Sequence, residues 1–178
     1  MNKQEIYEFL KSNHIWHEIT EHEAVYNMTE LSKIEVLYPE ADAKNLFVRD
    51  NKKRNYYLIT VRGNKRVDLK EFKQKQQTKT LSFASAEDLM TIMELIPGAV
   101  TPFGLLNDSE CRVEWFLDEE AVKADKVCQG DSECFPSSVA GLIGVHPNDN
   151  TATVWMKTND LVRLIEEHGN KVHIVSFE

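Results

Sequence analysis

Apolar residues recur at helical spacing at the start of the chain. Ile6, Phe9 and Leu10 share one face among Glu5, Glu8 and Lys11, which predicts a helix over residues 3–13. Asn13 and His14 end it, and the alternation from Ile15 to Ile19 predicts a strand. Thr29, followed by Glu30, Leu31, Ser32, Lys33 and Ile34, has the form of a capped helix start whose extent Pro39 limits. Residues 45–50 and 55–61 are apolar runs that predict two strands, and the polar stretch from Asp50 to Arg54 predicts a hairpin turn between them. A charged amphipathic helix with a solvated lysine face is expected over 68–77. Ser85 caps another over 86–95, which Pro97 and Gly98 stop. Strands follow at 112–117, near 126–128 and at 151–156, then a helix over 159–168 ended by Gly169, then a closing strand at 172–177. The alternation has no regular βαβ rhythm, and no linker, repeat or low-complexity segment interrupts it. These features predict one α+β domain over residues 1–178, built on a mixed, curved sheet.

Composition agrees with a packed domain and narrows its setting. A chain of 178 residues with 42% hydrophobic and 28% charged residues can fill one core and remain in solution, which excludes a disordered or disulfide-stapled class. No apolar run approaches the ~20 residues that span a bilayer, and the polar N-terminus does not have the form of a signal peptide. Cys111, Cys128 and Cys134 form an odd, unpaired set, as expected of a reduced cytoplasmic protein without a membrane partner. Cys128 is expected to be the most exposed of the three.

The net charge of −8 argues at first against a nucleic-acid partner, but its distribution reverses that inference. Residues 1–40 carry a net −5 and residues 81–178 a net −11, whereas residues 41–80 hold 12 basic and 4 acidic residues, a net +8. Lys and Arg clustered within about a Debye length (~8–10 Å) can make an anion-binding surface on an acidic protein.

Three stretches carry candidate chemistry. Lys44 enters the apolar strand ahead of Asn45, where it either holds a phosphate or carboxylate as a compact point charge or faces solvent at a strand edge. Residues 97–108 place two prolines and two glycines within eight positions. They fix either a structural turn or an irregular loop whose backbone amides approach a ligand. His146 lies between a strand-like segment and Pro147, suited to binding substrate or to a local hydrogen bond. No Walker loop, dinucleotide fingerprint, zinc spacing or protein nucleophile is evident, so neither cofactor nor metal is expected.

Together these stretches resemble the YbaK/ProX-type aminoacyl-tRNA deacylases, free-standing relatives of the editing domain of bacterial prolyl-tRNA synthetase. The likeness runs in the family's order. It includes His22 to Tyr26, Ala43 to Asp50, Leu81 to Ser85, the loop at 97–108, and Gly144 to Pro147 with Asn150 to Thr153. Glu23 stands where members often carry Pro. The loop and the Gly144-Val145-His146-Pro147 stretch favour the ProX-type branch, which removes alanine mischarged onto proline tRNA. The resemblance implies a barrel-like sheet flanked by helices. It also implies a hydrolase in which Lys44, His146 and Gly98 serve the reaction. Lys44 would position the charged 3′ end through its phosphate and His146 would anchor the substrate. Val25, Tyr26, Met28, Asn45, Thr101, Phe103, Gly104 and Gly144 would contact the acyl group and ribose, with Gly144 keeping the backbone close.

An aminoacyl ester is already activated, so its hydrolysis needs a placed water and a polarised carbonyl more than a strong nucleophile. The family's reliance on the tRNA's own 2′-hydroxyl suits a chain without a triad. In this setting the basic block becomes an expected acceptor-stem contact, made by Lys52, Lys53, Arg54, Arg62, Lys65 and Arg66. The expected partners are tRNA and prolyl-tRNA synthetase, not DNA. The chain length suits a free-standing editing domain that receives its substrate in trans. Other readings are deacylation of a different small mischarged residue (cysteine or serine), a non-catalytic aminoacyl-tRNA sensor that kept the fold, and a protein-interaction module with a basic partner.

Overall fold

The computed structural model describes residues 1–24, 37–63, 65–123 and 140–177. Its elements follow the predicted order. They are α1 (Lys3–Ser12), β1 (His17–Glu21), β2 (Ala43–Asp50), β3 (Tyr56–Arg62), α2 (Leu69–Gln76), β4 (Leu81–Phe83) and α3 (Ala86–Met93). After these come β5 (Val113–Asp118), α4 (Glu119–Val122), β6 (Leu142–Val145), β7 (Ala152–Lys157), α5 (Thr158–His168) and β8 (Val172–Val175). The helix expected from Thr29, the strand near 126–128, Cys128 and Cys134 lie outside the described residues.

Local chemistry sets the boundaries. Asn2 and Glu5 close a capping box on α1, and Ser85 with Asp88 does the same for α3, so the first turn of each helix has its free amides satisfied. α3 ends two residues before its predicted limit because Glu94 adopts a left-handed φ of 54°. β1 begins later than predicted because the Ile15 amide still bonds back to the Leu10 carbonyl, at 3.0 Å, as the chain leaves α1. β8 ends at Val175, two residues before the predicted limit. The hairpin turn is organised by Asp50, whose carboxylate accepts from the backbone amides of Lys52 (3.1 Å) and Arg54 (2.9 Å) and from Asn55 Nδ2 (2.6 Å).

The strands form two open sheets. Five strands run in the order β4-β2-β3-β5-β8, antiparallel across β4-β2-β3 and parallel across β3-β5-β8. Three antiparallel strands run β1-β7-β6. The mixed α+β architecture is as expected; among the described residues the sheets meet through one parallel bridge, Asp42 with Gly144, and do not close into a barrel.

The larger sheet is covered on both faces, which explains why β3 reads as a continuous apolar run. Phe47, Leu58, Trp115 and Leu117 pack with Ile6 and Leu10 of α1, Met93 of α3 and Ile165 of α5, together with Val145 and Val154 of the smaller sheet. On the opposite face Val48, Ile59, Val61 and Phe116 meet Phe72 of α2. No helix among the described residues is long and apolar enough to cross a membrane.

Candidate active site

The junction of the two sheets brings together Lys44, Thr101, Gly144 and His146. Lys44 and His146 each stand two residues beyond the Asp42–Gly144 bridge, in the same chain direction. Lys44 is half-buried beside Val61 in the β2–β3 register, and its side chain makes no hydrogen bond or ion pair among the described residues. Asn45 is aligned with Thr60, whose hydroxyl donates to Asn45 Oδ1 at 2.7 Å. That same hydroxyl accepts from the buried Trp115 Nε1 at 2.8 Å. Trp115 can only donate, so Thr60 must give its proton to Asn45, and the Asn45 amide is held with its nitrogen free to donate elsewhere.

The 97–108 loop is tied to the same place. Thr101 is buried, and its hydroxyl donates to the His146 carbonyl at 2.6 Å. Gly98 is exposed and has φ +93°, a conformation that side chains rarely adopt, and it turns the chain ahead of buried Ala99. Pro102–Asn107 then forms a short 3-10 turn.

His146 Nδ1 lies 2.8 Å from the Ala152 carbonyl. A carbonyl only accepts, so Nδ1 carries the proton, and in the neutral ring Nε2 keeps its lone pair. Burial pushes the imidazole below its ordinary pKa, opposed in part by the Ala152 bond, so it is neutral near pH 7. His22 stands beside it, with ring centroids 6.1 Å apart and the rings edge to face. His22 Nδ1 donates to the Glu23 carbonyl at 2.8 Å, and its Nε2 is hydrogen-bonded to Thr153 Oγ1 at 3.1 Å. His22 also acts on the charge of Asp42, whose carboxyl is pushed up to about 6 by burial. Asp42 carries no recognisable sequence signal, and only the bridge to Gly144 brings it here.

Not every expected contact faces the junction. Phe103 is wholly buried in the main core, and a Cβ on Gly104 would stand 2.5 Å from Leu95 Cδ1 and 2.7 Å from Met93 Cε. Those two positions shape the loop from within. A Cβ on Gly144 would lie 2.2 Å from Trp155 Cζ3, so the indole occupies the space that the absent side chain leaves. Here the close approach expected of Gly144 is made by a tryptophan of the same fold. Val25, Tyr26 and Met28 lie outside the described residues.

The basic block divides in two. Lys52, Lys53 and Arg54 are exposed on the Asp50-organised turn, and Arg66 is also exposed. Lys65 instead pairs with buried Asp118 (2.9 Å) and with Glu120 (3.0 Å). Arg62 donates through Nη2 to the Leu142 carbonyl at 2.8 Å, fastening β3 to β6. Its charge and that of Lys65 are therefore engaged within the fold.

Among the described residues no group of three or more His, Cys, Asp or Glu side chains forms a metal site. A surface cavity at the start of α1 is lined by Met1 to Glu5, Glu94, Asn148 and Asp149 and includes neither Lys44 nor His146. β2 thus presents a free lysine side chain on one face and the oriented Asn45 amide on the other, while the junction adds a neutral histidine with an open nitrogen and the Thr101-tied loop. A lysine of this kind can hold an anionic group, and backbone amides of a loop can polarise a carbonyl.

Comparison with known proteins points the same way. The family model described as "Aminoacyl-tRNA editing domain" matches residues 22–133. "Prolyl-tRNA editing protein ProX" of Acetoanaerobium sticklandii is 35% identical over 168 residues, covering 94% of this chain and 93% of that protein. "Prolyl-tRNA synthetase associated domain-containing protein 1" of Danio rerio is 30% identical over 176 residues, covering 99% of this chain and 88% of that protein. A solved structure assigned as a candidate trans-editing enzyme for prolyl tRNA synthetase shares the fold. Its TM-score is 0.66 at 17% identity, covering 99% of this chain and 97% of the other.

Proposed function

Because the chain belongs to the aminoacyl-tRNA editing domain family and is an aminoacyl-tRNA deacylase, we propose that it is a single-domain trans-editing hydrolase that clears alanine from mischarged proline tRNA in the cytoplasm. The observation that carries this reading is the convergence of Lys44, His146 and the Thr101-tied loop on the sheet junction, with no nucleophile among them. Lys44 Nζ takes the phosphate of the 3′-terminal nucleotide, and the free nitrogen of Asn45 donates to the ribose or the acyl group. Backbone amides of the loop around Gly98 polarise the ester carbonyl. His146 Nε2 accepts a hydrogen bond from the ribose 2′-hydroxyl, which in turn orients the water.

Water adds to the ester carbonyl carbon and the bond from that carbon to the ribose oxygen breaks. The proton released by the water ends on the ribose oxygen, leaving free alanine and intact tRNA. Positioning and a preset carbonyl-binding surface supply the acceleration, since the ester needs no covalent intermediate. The exposed turn at Lys52, Lys53 and Arg54, with Arg66, carries the acceptor-stem phosphates. Prolyl-tRNA synthetase is the partner from which a mischarged product would be handed over.

The test is deacylation of alanyl-, cysteinyl-, seryl- and prolyl-tRNA for proline by the purified protein and its Lys44→Ala variant. The alanyl ester should be cleared fastest and the prolyl ester spared, and Lys44→Ala should lose activity while folding normally. Faster clearance of the cysteinyl or seryl ester would reassign the substrate. Hydrolysis of none of the four would end the enzyme reading, and full activity in Lys44→Ala would end the role given to that lysine.

A further inference from the structure

An aminoacyl ester has a third recognisable end besides its phosphate and its carbonyl: the α-ammonium group. Resting on the deacylase reading above, we propose that Asp42 is the carboxylate that receives this ammonium, which makes the enzyme selective for esters with a free α-amino group.

Asp42 occupies the junction itself. Its backbone is bridged to Gly144, its carbonyl accepts from Gly63 N–H at 2.9 Å, and it stands two residues before Lys44. Its position is therefore fixed from three directions, while its carboxyl is nearly unengaged. Among the described residues that carboxyl accepts from the adjacent Ala43 amide and feels one titratable neighbour, His22. His22 cannot serve as its hydrogen-bond donor, since both ring nitrogens are already committed to Glu23 and Thr153.

The other shielded aspartates differ. Asp50 holds the hairpin turn, Asp88 pairs with Arg49 and caps α3, Asp108 binds Val113 and Asn170, and Asp118 pairs with Lys65. Asp149, the other carboxylate near His146, is bound by the amide and hydroxyl of Thr151. A carboxylate has about four acceptor positions. Asp42 leaves most of them unfilled in a place shielded from water, where an uncompensated charge is costly and a cationic ligand is correspondingly welcome. Lys44 repels an ammonium and attracts a phosphate, so the two side chains would set the polarity in which the ester lies across the junction.

The experiment compares two esters of proline tRNA that differ at one atom. Alanyl-tRNA carries the α-amino group, and lactyl-tRNA, made from it by deamination with nitrous acid, carries a hydroxyl instead. The wild-type protein should prefer the alanyl ester by about tenfold or more in kcat/KM, the scale of a lost charge-assisted hydrogen bond. Asp42→Asn, which keeps an acceptor for the Ala43 amide, should bring that ratio close to one, mainly through KM for the alanyl ester. A wild-type ratio near one overturns the inference without any variant. Equal losses on both esters in Asp42→Asn also overturn it, because the carboxylate would then act at the ester or on the fold. Wild-type hydrolysis of neither ester would overturn the deacylase reading and this inference with it. Hydrolysis of both with an unchanged ratio in the variant overturns the inference alone.

Discussion

Gly144→Ala is a one-carbon change whose consequence follows from the geometry of one ring. The added Cβ would lie 2.2, 2.6 and 2.9 Å from Cζ3, Cε3 and Cη2 of Trp155. Carbon atoms rest at about 3.5–4.0 Å, so the ring or the strand must shift by roughly an ångström or more. The ring has little room. It is 1% exposed, its Nε1 donates to Thr20 Oγ1 at 2.9 Å, and Tyr38 packs edge-on with a centroid separation of 5.6 Å. Overpacking of this kind costs ~1–3 kcal/mol, and a domain of this size loses about 2–4 °C of Tm per kcal/mol. Thermal unfolding of wild type, Gly144→Ala, Trp155→Phe and the double variant tests the cause. The two changes should be non-additive by about 1 kcal/mol or more, since a smaller ring makes room for the methyl. A Gly144→Ala protein that melts within about 1 °C of wild type, or strict additivity, would refute the claim that the indole fills this space. Gly144 also pairs with Asp42 and precedes His146 by two residues, so deacylation should fall with stability.

Three further outcomes follow. Reversing the turn charges with Lys52→Glu, Lys53→Glu and Arg54→Glu should raise KM for charged tRNA and flatten its salt dependence without lowering Tm, because these side chains are exposed; an unchanged salt slope would count against a tRNA-facing turn. Thr60→Val strands the buried Trp115 Nε1 and should cost ~1–3 kcal/mol in urea unfolding, whereas Thr60→Ser keeps both hydrogen bonds and should cost less. For Asp42 the sign runs opposite to that of a salt-bridged carboxylate. Its folded pKa is raised to about 6, so the native state binds the extra proton, and the associated stability is full at pH values below its unfolded value and lost as pH rises through 6. Stability of wild type relative to Asp42→Asn should therefore fall by up to about 3 kcal/mol between pH 4 and pH 8, measured by urea unfolding at each pH. A pH-independent difference would show a normally solvated carboxyl.

Periodicity and capping located nearly every described element because those signals are local. The Ser85–Asp88 box and Gly169 mark helix ends in residues that touch one another. The three-residue β4 and the four-residue α4 escaped, being too short to show a period. The candidate site was legible in part. Lys44, the 97–108 loop and His146 stand out through residue types that local structure does not require. Asp42 does not, since an aspartate before a strand is commonplace.

What this sequence determines by itself is the order of helices and strands, the turn that exposes Lys52 to Arg54, and a family likeness borne by a few short motifs. Each of these depends on residues close together along the chain. Tertiary structure decided which charges are free. Lys65 and Arg62 looked like the others in the basic block until Asp118 and the Leu142 carbonyl were brought against them. It also decided that Gly144 yields its space to Trp155, and that one backbone bridge sets Asp42, Lys44 and His146 together. Those outcomes depend on contacts between residues 11 to about 100 positions apart, which no local pattern encodes.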